Sequence, residues 1–99
     1  MLMASPQLMT HSAKIFKALG HPSRLAMVHA LCEGEKCVCE LQELVGSDMS
    51  TVSKHLAVLR EAKVVSDEKR GMQVYYSLRM HCVSTFIDCV ENALKEEAS

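Results

Sequence analysis

Residues 46–62, GSDMSTVSKHLAVLREA, constrain the fold more than any other stretch. Met49, Val52, Leu56 and Leu59 recur at helical spacing and make one apolar stripe. Ser50, Thr51, Ser53, Lys54 and His55 crowd the first turns, mostly off that stripe. Short hydroxyls, a cation and an imidazole at a helix start can meet phosphates and base edges. Gly46 ends the helix before it, and Ser47 is placed to cap the new one. The plainer alternative is a surface helix with a polar N-terminal half.

The flanks favour the first reading. Leu8, Ile15, Phe16 and Leu19 predict a first helix over 6–19, stopped by Gly20. His21-Pro22 restarts the chain, and proline suits a first helical position. A second helix runs over 22–32. Glu33-Gly34-Glu35-Lys36 is a polar break. Val38, Leu41, Leu44 and Val45 then share one face of a short third helix beginning near Cys37. The third and fourth helices, joined at Gly46-Ser47, have a helix-turn-helix layout over 37–62.

After Ala62 the pattern turns β-rich, at 64–66 and again at 74–78. Asp67-Glu68-Lys69-Arg70-Gly71-Met72 lies between as a charged tip with a glycine turn. A hairpin over 64–78 directly after such a helix is a wing. Lys69, Arg70 and Gln73 are its candidate DNA contacts, against the alternative of an ordinary hairpin with a solvated tip. Val83, Phe86, Ile87, Val90 and Leu94 stripe a last helix over 80–97. The predicted fold is mainly α with a small β-hairpin, a winged helix-turn-helix of order α-α-α-α-β-β-α, in one domain over 1–99. Residues 1–5 are expected to fray.

Composition adds partners. A 48% hydrophobic content is high for so small a helical monomer, so the first and last helices are expected to bury apolar surface in a homodimer. Two-fold symmetry would present two recognition helices to a palindromic double-stranded site. The net charge of −1 does not advertise a nucleic-acid binder. Its distribution is more telling: Lys54, Arg60, Lys63, Lys69 and Arg70 outnumber the acids between 50 and 72, and Asp88, Glu91, Glu96 and Glu97 dominate the tail. No run is long enough to span a membrane. MLMASPQLM lacks the basic and continuous apolar regions of a secretory signal. A cytoplasmic setting is therefore expected, where thiols serve ligation or redox chemistry more often than structural disulfides.

Four words in order carry a family resemblance. His21-Pro22-Ser23-Arg24-Leu25 resembles the hP-x-R-L opening of the ArsR/SmtB family. Ser50 to Leu59 matches its S-x-V-S-x-H-L-x-x-L recognition helix, and Arg70 to Tyr76 resembles its wing. Cys37-Val38-Cys39-Glu40-Leu41 is close to the C-V-C-D-L metal box of its arsenic sensors. The resemblance spans roughly residues 10–95 and implies a dimeric winged-helix repressor that leaves operator DNA when an inducer binds. One departure concerns the backbone. The family usually has glycine where this chain has Lys63, which predicts a left-handed lysine.

Five cysteines focus the chemistry. Cys37 and Cys39 fall at the expected start of the third helix, beside unpaired N–H groups and the positive end of the dipole. That setting stabilises the thiolate, the form that ligates metals; Glu35 and Glu40 oppose it. Residues two apart on a regular helix point about 200° apart, so both sulfurs can hold one ion only if the first turn unwinds. Unwinding would disturb the recognition helix packed against it, a two-state element of the kind allostery needs. As(III) or Sb(III) would take three thiolates. The arsenic sensors that the chain resembles often carry a third cysteine where this chain has Gln42; Cys32 or an exogenous thiol is the substitute. The alternative is that Cys37 and Cys39 pack as small hydrophobes.

Cys82 and Cys89 share one side of the last helix but lie about 10.5 Å apart along it, too far to share an ion in one chain. They form a redox or second site, or line the dimer core. The histidines make no zinc set; His11, His21 and His29 read as caps, surface or packing residues. No cofactor is obligatory in this scheme. Three functions follow: a repressor induced by a thiophilic ion, a thiol-redox or persulfide sensor of the same fold, and a metal-binding or interaction module that does not read DNA. An enzyme is not expected, since the chain has no phosphate loop, nucleophile elbow or HExxH.

Overall fold

The computed structural model describes the backbone of residues 5–98 and the side chains of residues 5–96. In chain order it contains α1 (Pro6–Leu19), α2 (Pro22–Leu31), β1 (Lys36–Cys37), α3 (Val38–Val45), α4 (Met49–Glu61), β2 (Val65–Arg70), β3 (Gln73–Leu78) and α5 (Cys82–Ala98).

Local chemistry sets most boundaries. Ser5, expected to fray, instead caps α1, its hydroxyl accepting from the Leu8 N–H at 3.1 Å; residues 1–4 lie outside the described residues. His21 caps α2 in the same way, with ring Nδ1 accepting from the Ser23 N–H, and Pro22 follows at the first helical position. Gly46 adopts φ 78°, and its N–H closes α3 on the Gln42 carbonyl at 2.8 Å.

The cap of α4 is a correction. Asp48, not Ser47, holds it, with its carboxylate facing the Thr51 N–H. A carboxylate both accepts the orphan hydrogen bond and meets the positive helix end with charge, so it outcompetes the neighbouring hydroxyl. At the other end Lys63 has φ 65°, as its place after Ala62 predicts. The Val64 N–H then reaches back to the Leu59 carbonyl at 3.0 Å.

The sheet is larger than the hairpin expected from sequence. β2 and β3 pair antiparallel from Val65↔Leu78 to Arg70↔Gln73, leaving Gly71-Met72 as the turn, with Gly71 at φ 61°. The acidic and basic residues assigned to the tip are strand residues. β1 adds a third strand, with Lys36 opposite Tyr76 and Cys37 opposite Tyr75, in the order β1-β3-β2.

One core joins these elements. Met27, Val28 and Leu31 of α2, Leu41 of α3, and Val52, Leu56 and Leu59 of α4 are buried together with Val64, Val65, Tyr76, Leu78, Val83 and Ile87. α3 and α4 are thus held as a pair against α2, which fixes the angle at which α4 offers its polar face. Phe16 and Phe86 meet edge to face at 5.9 Å while remaining largely exposed. With Leu25, Val90 and Leu94 they leave an apolar groove of about 580 Å³ between α1, α2 and α5. No helix among the described residues is long and apolar enough to cross a membrane.

Candidate nucleic-acid interface and thiol sites

The exposed face of α4 carries the residues singled out from sequence, in two different states. Ser53 and Lys54 are exposed and make no side-chain hydrogen bond or ion pair among the described residues. Ser50 and Thr51 are engaged. Both hydroxyls donate to the Asp48 carboxylate, that of Thr51 at 2.6 Å. Those hydroxyls hold the Asp48 carboxyl down to about 2. A charged carboxylate therefore stands at the front of this face, and Ser50 and Thr51 must turn from it to meet another acceptor.

His55 lies half-buried under the same face. Its Nδ1 is 3.1 Å from Arg24 Nη1, and its ring lies 4.4 Å from that of His21, the planes tilted by 46°. Arg24 also donates through Nε to the Ala18 carbonyl at 2.6 Å. Arg24 thereby ties the ends of α1 and α2 to the middle of α4. Burial first, then the charges of His21 and Arg24, hold the His55 imidazole below its ordinary pKa. Arg24 received no role from the sequence. The signal was the motif His21-Pro22-Ser23-Arg24, whose imidazole and guanidinium both converge on His55.

In the wing, Lys69 is exposed and unpaired among the described residues. Arg70 is engaged by two carboxylates and a ring. Its Nη1 and Nη2 donate to both oxygens of Glu35 at 2.6 and 2.9 Å, its Nε donates to Glu68, and its guanidinium lies 4.8 Å over the Tyr75 ring. The Arg70 hydrogen bond holds the Glu35 carboxyl below its usual range. The Gln73 side chain accepts from Cys39 Sγ at 3.6 Å.

The cysteines separate into two neighbourhoods. Cys37 is the N-cap residue of α3, in extended conformation, and its N–H donates to the Glu40 carboxylate at 3.0 Å. It stands outside the helix, at φ −79° and ψ 160°. Cys39 is exposed on the first turn. Cys32 caps the end of α2, half-buried. Burial first, then the carboxylates of Asp88 and Glu33, push its thiol up. Cys82 and Cys89 are exposed and line one groove between α1 and α5. No three Cys, His, Asp or Glu side chains converge as a metal-holding group among the described residues. Cys32, Cys37 and Cys39 are therefore not gathered as a ligand triad here.

The helix-turn-helix, the three-stranded wing and the two outer helices define a winged helix-turn-helix protein. The family model described as "Bacterial regulatory protein, arsR family" matches residues 21–67. The arsenical resistance operon repressor of Escherichia coli K12 is 35% identical over 85 residues, covering 85% of this chain and 73% of the repressor. A CadC homolog of Staphylococcus aureus, a cadmium resistance transcriptional regulatory protein, is 40% identical over 67 residues, covering 67% of this chain and 55% of that protein. The homodimeric winged helix-turn-helix DNA-binding domain of Mb0332 from Mycobacterium bovis superposes with a TM-score of 0.82 at 25% identity, covering 99% and 94% of the two chains. The chain belongs to the ArsR family. It spans little more than half the length of the cadmium regulator.

Proposed function

We propose that the chain is a homodimeric transcriptional repressor that binds operator DNA and leaves it when As(III) or Sb(III) is taken by Cys37 and Cys39. The observation that carries this reading is the position of Cys37. It caps α3 while its strand pairs with β3 of the wing. One thiol segment therefore touches both the helix that supports α4 and the hairpin beside it. A ligand that draws the two sulfurs together must move one or the other, which biases a two-state element.

DNA reading is assigned to Ser53 and Lys54 of α4 and to Lys69 of the wing, with Ser50, Thr51, Arg70 and Gln73 joining once they exchange their internal partners. His55 supports the face from beneath. Family membership supports this assignment, as does the exposure of Lys54 and Lys69. The exposed apolar residues of α1 and α5 supply a surface for a second copy. Two soft thiolates suit a trivalent metalloid, and an exogenous thiol completes its three bonds.

Arsenite titrated into the fully reduced protein, followed by thiolate charge-transfer absorption in the ultraviolet, tests the metalloid site. Saturable absorption should vanish in Cys37→Ser and in Cys39→Ser and persist in Cys82→Ser. Full absorption in Cys37→Ser would remove the site from α3.

A second reading is favoured by the exposure of Cys82 and Cys89, which line one groove between α1 and α5. A thiol-redox or persulfide sensor would use Cys32 with Cys82 or Cys89. Release of DNA by an oxidant but not by arsenite, lost in Cys89→Ser, would replace the first reading with this one.

A further inference from the structure

The clamp between Glu35 and Arg70 holds one of the candidate DNA contacts, and the role of Glu35 in it is unassigned. We infer that Glu35 is a positioning residue for DNA binding: it competes with DNA phosphate for Arg70 and so ties the state of the thiol segment to the wing. The inference rests on the DNA-binding reading above and deepens it.

The geometry makes the competition direct. A guanidinium recognises phosphate through the same planar fork by which it takes a carboxylate. In Arg70 the Nη1/Nη2 fork is filled by both Glu35 oxygens, and the Nε–H goes to Glu68. Arg70 and Gln73 are the cross-strand pair that closes the hairpin turn, so this cation sits at the wing tip. It offers the Nη1/Nη2 fork to a phosphate only by leaving Glu35.

Glu35 is also placed to feel the cysteines. It precedes β1 by one residue and Cys37 by two. Cys39 reaches the opposite member of the same pair, through Sγ to Gln73. Residues 35 to 39 thus hold both ends of the Arg70–Gln73 pair. Arg70 and Glu35 side chains are 46% and 43% exposed, so the contact is a solvent-screened pair that a second anion can displace. A buried pair would be too costly to open at each binding event. In the structure the clamp is closed. Opening it accompanies DNA binding, and any ligand that fixes residues 35 to 39 against β3 keeps it closed.

A double-mutant cycle in DNA affinity tests this, using the reduced full chain and a labelled duplex of the promoter adjoining its gene at fixed moderate salt. Glu35→Gln should tighten binding by about two- to fivefold, the range of an exposed ion pair. In an Arg70→Gln background the same change should do nothing. It should also reduce the loss of affinity that arsenite causes, with the thermal midpoint little changed. Equal gains in both backgrounds would reduce Glu35 to a general repulsive charge and overturn the inference. So would no gain in either while the wild-type chain binds. A wild-type chain that fails to bind at low salt would instead overturn the DNA-binding reading, and the inference with it.

Discussion

Arg24 donates from Nη1 to Nδ1 of His55 at 3.1 Å, joining α2 to α4 beneath the polar face. The bond needs a neutral imidazole with its lone pair on Nδ1. Burial, His21 and Arg24 together depress the His55 pKa below 6.5. A depressed histidine binds its proton more readily unfolded than folded. Stability is therefore complete above about pH 6.5 and falls as pH drops towards the folded value. The thermal midpoint should decline from about pH 7.5 to about pH 5.5. His55→Gln, whose amide oxygen still accepts from Arg24, should flatten that decline. An unchanged slope in the variant would assign the acid sensitivity elsewhere.

Lys63 follows Ala62 at φ 65°, where a Cβ crowds the backbone. Lys63→Gly should be more stable than Lys63→Ala by about 1 kcal/mol, because only glycine removes the clash. Urea melts of the two variants measure it. Equal midpoints would mean that the left-handed turn carries no strain.

Lys54 and Lys69 sit on the same side of the chemistry but in different elements. Lys54→Ala and Lys69→Ala should each weaken binding on all sequences alike and reduce the slope of log affinity against log salt by about one. Loss confined to one sequence would instead mark a base contact. Arg70→Ala should cost less than either lysine change, since Arg70 must first leave Glu35. Anisotropy at several salt concentrations separates the three.

The first four helices were legible because glycine or proline punctuates them. Gly20, Pro22 and Gly46 stand at their ends, and Leu56 and Leu59 repeat at helical period. β1 was not, since two residues have no period; only its pairing with Tyr75 and Tyr76 makes Lys36 and Cys37 a strand. Asp67 to Arg70 read as a tip because charged residues disfavour strands. The register against β3 overrides that preference on an exposed edge. Asp48 was missed beside Ser47 because both residue types cap helices. At the candidate site, sequence singled out Lys54 and Lys69, which the structure leaves exposed, and Cys37 and Cys39, which it places at the start of α3. Spacing could not find Glu35 as the partner of Arg70, thirty-five residues away, because β1 and the hairpin must form before the two meet.

The most direct measurement is the anisotropy of a labelled promoter fragment bound to the reduced protein, titrated anaerobically with arsenite. Release should be complete near one equivalent per subunit in the wild-type chain. Cys37→Ser should bind the fragment as tightly and hold it through the whole titration. Wild-type protein that keeps its DNA through excess arsenite, or Cys37→Ser that releases it normally, would contradict a metalloid switch at the start of α3.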